Sequence, residues 1–429
     1  MQRFETLSNG LRAILVPCEA ESVAFGIFIA SGSRHEGRSV AGISHFIEHM
    51  LFKGTPTRGA TEISRAIEGR GGMFNAFTSE EATCYYAHLP KEHMAEAVDI
   101  LSDMYLHASI PEDEFAREKG VVVEELKMYA DEPDAVAAEN LQKAIFPGCP
   151  LGLPVGGTAE SVSRMSPADL RRHMKAHYRP DATVVVMAGD FDEEEALRKI
   201  RRSLGRVRRP ASPLRGAPRV NLAKRPAPET VVEKDVNQTQ IAIGYRAFGV
   251  RDGRKYAATL MDAILGRGMS SRLFVEVREK RGLSYDIASR MQFFSDAGMF
   301  SVAAGVDGAK AEAAIATIER ELRRMRERKV PAAELRRVKD FLLGNFRLSH
   351  EKVVAKMFFY GSSALAFGRP VTPEEQVKAL SAVTAEEVQA VAKAVFRPEN
   401  RSVSRVVPKG GEHETCRCRR DGDVVRFRR

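Results

Sequence analysis

Apolar residues recur along this chain at two spacings, one typical of strands and one typical of helices. From residue 23 to 29, Val23, Phe25, Ile27 and Ile29 alternate along the chain, which predicts a half-buried strand. From 43 to 53 the spacing is helical instead, and Gly54 follows as a C-cap. Longer amphipathic helices are predicted over residues 88–107, 113–130 and 309–328.

Two stretches of the chain occur twice. Residues 166–181 and 384–399 each read as a Ser/Thr-capped helix followed by an aromatic-Arg-Pro turn. Residues 111–130 and 331–350 share Pro, Glu, Arg and Lys at matching positions. A weaker match pairs MLFKG at 50–54 with ILGRG at 264–268. Such self-similarity predicts two homologous α+β domains, each a mostly antiparallel sheet packed with helices.

A basic, proline-rich stretch separates the two halves. Residues 201–225 hold nine Lys/Arg and no Asp/Glu, which accounts for the whole net charge of +9. We therefore expect a domain over 1–202, a linker over 203–228, a second domain over 229–408 and a basic, flexible tail over 409–429. Nucleic-acid binding by the linker is disfavoured, because no aromatic residue is interleaved with its basic ones.

The composition is that of a soluble globular protein, with 429 residues, 44% hydrophobic and 29% charged. No apolar run approaches the roughly 20 residues of a membrane helix, and the N-terminus lacks a signal pattern. A cytoplasmic, bacterial-type location is the expectation. The five cysteines fit no disulfide framework, and Cys416 and Cys418 are assigned to the tail.

The stretch HFIEHMLFKGT at 45–55 carries the candidate chemistry. On a helix His45 and His49 are one turn apart and project from one face, so both can bind one Zn²⁺. Glu48 lies beside them, placed to take a proton from metal-bound water, in the inverted order H-x-x-E-H. The alternative is a helix whose polar face carries these residues without a metal.

A catalytic zinc needs a third protein ligand from elsewhere. The helix predicted over 113–130 carries Glu118 and Glu125 on one face beside a core stripe, and Glu124 is assigned to the surface. In the second half both metal-binding helices persist, but the candidate residues do not. His45, Glu48, His49, Glu118 and Glu125 correspond to Thr259, Asp262, Ala263, Val338 and Asn345. Their joint replacement favours a metal site in the first half alone.

Three motifs together resemble one peptidase family. HFIEHMLFKGT, GGMFNAFTSEEATCYY at 71–86 and EKGVVVEELKMYADEPD at 118–134 resemble the pitrilysin/insulinase-like inverzincins, among them the β-subunits of mitochondrial processing peptidase and short bacterial homologues. The resemblance implies that His45, His49 and Glu125 bind one Zn²⁺ per chain. It also implies that Glu48 is the general base and that Glu118 orients a zinc-bound histidine.

The resemblance further implies how a peptide is held. The peptide would add as a strand to the edge formed by residues 74–78, with Asn75, Ala76 and Phe77 as substrate-binding residues. The alternative for Asn75 is a turn-forming residue after Gly71 and Gly72. From the second half, Arg278 and Tyr285 would hold the substrate carbonyl and the developing oxyanion.

The implied function is a zinc-dependent endopeptidase that cleaves unfolded or presequence-like peptides in a closed chamber. Family chambers contain four such domains, and this chain supplies two as half of a clam-shell. A homodimer is therefore expected, in which each site combines the zinc half of one subunit with Arg278 and Tyr285 of the partner subunit. The alternative from another class is a non-catalytic structural or assembly subunit of the same fold.

Overall fold

The structure, a computed structural model, describes residues 2–212, 216–221 and 223–410. It contains two separate sheets covered by helices, which confirms the α+β prediction. The predicted tail beyond 410, with Cys416 and Cys418, lies outside the described residues, as do four positions of the predicted linker.

The first sheet has six strands in the order β1-β2-β6-β3-β5-β4. All neighbours are antiparallel except β2 and β6, which run parallel. Its strands are β1 Arg3–Thr6, β2 Arg12–Pro17, β3 Ser22–Ile29, β4 Met73–Thr78, β5 Thr83–Pro90 and β6 Thr183–Gly189. The predicted strand at 23–29 is therefore the central part of β3.

The second sheet has five strands in the order β7-β11-β8-β10-β9. Its strands are β7 Glu229–Lys234, β8 Thr239–Ala247, β9 Ser284–Phe293, β10 Gly298–Val306 and β11 Arg401–Pro408. The first pair, β7 and β11, is parallel and the other neighbours are antiparallel. Apart from β1, both sheets thus have the same order and the same directions, as the duplication in the sequence requires.

Fourteen α-helices accompany the described sheets. Eight precede the second sheet in the chain: α1 Ile43–Leu51, α2 Ala60–Glu68, α3 Met94–His107, α4 Glu112–Asp131, α5 Pro133–Ile145, α6 Ala159–Arg164, α7 Pro167–His177 and α8 Glu193–Ser203. The other six are α9 Lys255–Gly266, α10 Ala311–Glu327, α11 Ala332–Ser349, α12 Val353–Phe367, α13 Pro373–Ala382 and α14 Ala385–Val395. The helix predicted over 88–107 begins only at Met94, because residues 88–90 complete β5.

The chain groups into two compact units that are each discontinuous in sequence. The first unit contains residues 1–127, 153–218 and 344–376. The second unit contains the described residues of 128–152, 219–343 and 377–410. The predicted linker at 203–228 marks a change of unit, but α5 packs in the second unit and α12 packs in the first.

The position of α12 explains why β3 differs from its prediction. Val23, Phe25 and Ile27 face one core, but Ala24 and Phe28 are also buried, in a second cluster that contains Met357 of α12. The strand is therefore buried on both faces rather than one. Its sequence pattern alone cannot reveal this, because the covering helix lies more than 320 residues along the chain.

Among the described residues, none of the helices combines the length and the apolar character that spanning a membrane requires.

The assignment of α12 to the first unit gives a testable expectation. Replacing Met357, which is fully buried, by Ala should lower the free energy of unfolding by about 2–5 kcal/mol because it leaves a cavity. Hydrogen exchange should then accelerate in β3 and β6. The matched control is Met325→Ala in α10, equally buried in the core of the second sheet, which should accelerate exchange in β8 and β10 instead. Equal effects of both variants on both sheets would contradict the division.

Candidate metal centre

The helix α1 presents one apolar face and one polar face. Ile43, Phe46, Ile47 and Met50 are fully buried in the core of the first unit. His45, Glu48 and His49 are left on the opposite, half-buried face. The imidazoles at i and i+4 lie side by side in an edge-to-face arrangement, with ring centroids 4.7 Å apart. Burial of the apolar face therefore fixes where the two histidines project.

The start of α1 is held by a buried carboxylate. Glu36 Oε2 accepts a hydrogen bond from the Gly42 amide (2.6 Å) and Oε1 accepts one from the Ser44 amide (2.8 Å). Gly42 has φ of 92°, and a side chain there would collide with the backbone carbonyl of Gly156. Burial raises the pKa of Glu36 to about 7, although these hydrogen bonds oppose the shift. Glu36 thus satisfies amides at a helix N-terminus that would otherwise be unpaired.

The helix α4 supplies the third candidate ligand. Phe115 and Val122 anchor it to the core, and Glu125 is half-buried on its inner side. Glu125 Oε2 lies 3.3 Å from His49 Nε2 and 3.7 Å from His45 Nε2. One donor atom from each of the three residues lies within 4.8 Å of the other two. Glu124 points away, is exposed and pairs with Lys127, as predicted.

The three side chains fit a metal ion by their chemistry and their unpaired atoms. Glu125 Oε2 is buried, and among the described residues it has no hydrogen-bond partner. A buried carboxylate oxygen facing two imidazole nitrogens needs a cation. Burial, with the neighbouring imidazole of His49, lowers the pKa of His45, which favours the neutral ring that can donate a lone pair. Two imidazoles and one carboxylate are a ligand set of catalytic zinc sites.

Glu48 is linked to the edge strand rather than to the three ligands. Its Oε2 accepts a hydrogen bond from the Thr78 hydroxyl at the end of β4. Burial raises the pKa of Glu48, and the Thr78 hydrogen bond opposes this rise. A half-buried carboxylate with raised proton affinity, held in one orientation, is suited to accept and release a proton.

Glu118 contacts both a histidine and a lysine. Its Oε1 lies 3.0 Å from His49 Nδ1, and its Oε2 lies 2.5 Å from Lys53 Nζ. Burial would raise the pKa of Glu118, but the hydrogen bonds from Lys53 and His49 outweigh it and the pKa is lowered. Glu118 is therefore ionised and accepts a hydrogen bond from Nδ1 of His49. The other ring nitrogen of His49, Nε2, faces Glu125. This arrangement is typical of carboxylates that orient a metal-binding histidine.

The predicted peptide-binding segment forms β4, an edge strand of the first sheet. β4 pairs with β5 and with no other strand of the described sheets, so its outer side is an open strand edge. Asn75 is exposed, and its Oδ1 accepts a hydrogen bond from the Ala76 amide (2.8 Å). The Ala76 and Phe77 side chains pack against the two cores of the first unit instead. Any contact they make with a peptide would involve mainly their backbone.

Arg278 and Tyr285 lie in the second unit and contact each other. Arg278 belongs to a π-helical turn, Phe274–Glu279, and its guanidinium carbon is 4.9 Å from the centre of the Tyr285 ring. Tyr285 stands at the start of β9 and is 80% exposed. Because the Arg278 guanidinium lies over the ring of Tyr285, the exposed hydroxyl of Tyr285 is left available to a ligand.

Sequence reasoning missed three residues that hold the site together. Glu36 accepts hydrogen bonds at the N-terminus of α1. Lys53 pairs with Glu118, and Thr78 donates a hydrogen bond to Glu48. Lys53 lies in the motif HFIEHMLFKGT and Thr78 lies in GGMFNAFTSEEATCYY. Their positions within these motifs could have indicated that they lie near the candidate ligands. Glu36 carries no such signal, because its role depends on a loop that returns to the helix.

Comparison with known proteins gives consistent results along most of the chain. Residues 14–159 match the family model described as insulinase (peptidase family M16), and residues 164–342 match the model described as the M16 inactive domain. An uncharacterized zinc protease of Bacillus subtilis is 34% identical, covering 94% of this chain and 98% of the relative. One from Mycobacterium tuberculosis is 37% identical, with 91% and 90% covered. A Helicobacter pylori protease structure shares the fold, with a TM-score of 0.88 at 20% identity, covering 95% of this chain and 99% of that one.

The buried carboxyl of Glu36 gives a pH-dependence with a definite sign. Because its pKa rises from 4.5 to about 7 on folding, the stability it contributes is present below pH 4.5 and is lost as pH rises toward 7. The loss amounts to about 3 kcal/mol. We expect Glu36→Gln to remove it, so that the variant gains stability relative to the wild type between pH 5 and pH 7.5. Denaturant unfolding of metal-free protein at both pH values measures this, and parallel curves would contradict it.

Proposed function

The chain belongs to the M16 family of zinc peptidases, and on that premise we propose that it is a zinc-dependent endopeptidase acting on unfolded or presequence-like peptides. The observation that carries the proposal is the convergence of His45, His49 and Glu125 on one point, with an unpaired buried oxygen facing two imidazoles. Glu48 on the same helix supplies the proton acceptor that such a site needs for hydrolysis.

His45, His49 and Glu125 would hold the ion. When bound in such a site, zinc supplies Lewis-acid polarisation of a carbonyl and activation of water. Glu48 accepts the proton of the attacking water and passes it to the leaving amine. Thr78 holds one oxygen of Glu48, which leaves the other for the proton. Glu118 fixes the ring of His49 through Nδ1.

The substrate would bind by its backbone along β4. An unpaired strand edge accepts any extended peptide through main-chain hydrogen bonds, with little dependence on side chains. In the proposal, the exposed side chain of Asn75 contacts such a peptide. Only an unfolded or short segment can present a free strand, so the proposal restricts substrates by conformation rather than by sequence.

The proposed active form is a homodimer. Arg278 and Tyr285 carry a cation and a phenol suited to a substrate carbonyl and an oxyanion, but they belong to the second half of the chain. In the proposal each zinc site is completed by the partner subunit's Arg278 and the partner subunit's Tyr285.

The role of Glu48 can be separated from metal binding. We expect wild type and Glu48→Gln to contain about one zinc per chain by metal analysis, because Glu48 is not a ligand. Hydrolysis of a quenched peptide should fall about 10²- to 10⁴-fold in Glu48→Gln, since the proton acceptor is lost. The matched control is Glu124→Gln, an exposed glutamate of α4, which should keep full turnover.

Two results would count against this mechanism. Full turnover in Glu48→Gln would exclude Glu48 as the proton acceptor. If protein purified without chelator contained no metal, the non-catalytic structural subunit would become the better description.

Sharing of the site between subunits can be tested by mixing two inactive variants. Glu48→Gln and Tyr285→Phe should each be nearly inactive alone. In a mixed dimer, one site combines an intact Glu48 with the partner's intact Tyr285, so random re-association should restore about a quarter of wild-type activity. Activity that stays at the level of the separate variants, although mixed dimers are shown by mass spectrometry, would contradict sharing.

A further inference from the structure

In both units a positively charged residue stands just after the C-terminus of the equivalent helix. In the alignment of residues 50–54 with 264–268, Lys53 follows α1 as Arg267 follows α9. A cation is favoured there, because the C-terminal end of a helix carries partial negative charge. The two cations have different partners, and the difference bears on the proton acceptor Glu48.

In the second unit the cation pairs with an acid of its own helix. Arg267 Nε lies 2.7 Å from Oδ2 of Asp262, which is fully buried and stands five residues earlier. Ser289 on the edge strand β9 donates a second hydrogen bond, to Oδ1 (2.6 Å). Asp262 is the counterpart of Glu48. Its two oxygens are thus occupied by a cation and a hydroxyl.

In the first unit half of this arrangement is retained. Glu48 accepts a hydrogen bond from Thr78 on the edge strand β4, as Asp262 does from Ser289 on β9. Lys53 also stands five residues after Glu48, but it pairs with Glu118 of α4 at 2.5 Å. The counterpart of Glu118 in the second unit is Val338, which is buried and carries no charge. Lys53 and Arg267 therefore have different partners because only the first unit has a carboxylate at the position of Glu118.

Lys53 has the reach to pair with Glu48. Arg267 makes its contact through Nε, and the terminal nitrogen of a lysine is one bond further from the backbone. Glutamate is also one methylene longer than aspartate. A half-buried ammonium that loses its carboxylate leaves an uncompensated charge, so it turns to the next carboxylate within reach.

We infer that Glu118 has a second role as a positioning residue: it holds Lys53 away from Glu48 and so keeps the proton acceptor free. Without Glu118, the Lys53 ammonium would occupy the oxygen of Glu48 that Thr78 leaves open. An oxygen of Glu48 that the ammonium occupies is no longer within hydrogen-bond reach of the attacking water. The kinetic consequence rests on the proposed function, whereas the change of pairing does not.

A double-mutant cycle tests the inference, with Glu118→Gln, Lys53→Met and the double variant in the full-length, zinc-loaded protein. Glutamine keeps an oxygen for His49 Nδ1 but loses the charge that holds Lys53. We expect kcat to fall about 100-fold in Glu118→Gln and to recover about 10-fold when Lys53→Met is added. Zinc dissociation constants should be equal in the single Glu118→Gln and the double variant. Glu124→Gln serves as the control for loss of a glutamate from α4.

A crystal structure of Glu118→Gln gives a readout that does not depend on activity. It should show Lys53 Nζ within about 4 Å of a Glu48 oxygen. If Lys53 stays away from Glu48, or if the double variant is no faster than Glu118→Gln, the inference is overturned. If the wild type itself hydrolyses no peptide, the proposed function fails, and the crystal structure still decides the pairing.

Discussion

The helix α1 must bury one face completely while its other face presents two imidazoles and a carboxylate, and the rest of the site depends on this constraint. Phe46 and Met50 are fully buried, so the helix cannot rotate without exposing them. Glu36 fixes its start, where the bare backbone of Gly42 approaches that of Gly156. With the helix held in this way, a single helix from another part of the fold can place a carboxylate between the two histidines.

Much of this arrangement follows from local sequence patterns. Helical spacing placed His45 and His49 on one face, and comparison of the two halves identified them as specific to the first. The structure brings donor atoms of both within 4.8 Å of one from Glu125. Residues whose role depends on distant packing could not be predicted. The contact of Glu36 with α1 and the cover that α12 gives to β3 join segments that no periodic pattern relates.

The second unit shows which contacts belong to the scaffold and which to the site. A hydroxyl from the edge strand reaches the acid of the helix in both units, from Thr78 in one and Ser289 in the other. This link is part of the common fold. The carboxylates of α4 are not, since their counterparts on α11 are Val338 and Asn345. A duplicated fold in which one copy lacks the candidate ligands thus separates structural from chemical requirements within a single chain.

The edge strand β4 also has a consequence for solubility. Proteins usually protect a free strand edge with charge or proline, since an open edge pairs with any exposed strand. The other sheet edges described here follow this rule with Arg3 and Glu5 in β1, Glu229, Glu233 and Lys234 in β7, and Asp286 and Arg290 in β9. β4 reads MFNAFT and has neither charge nor proline. An edge strand without charge or proline is as open to aggregation as to a ligand, because nothing in the chemistry of the strand itself selects what pairs with it.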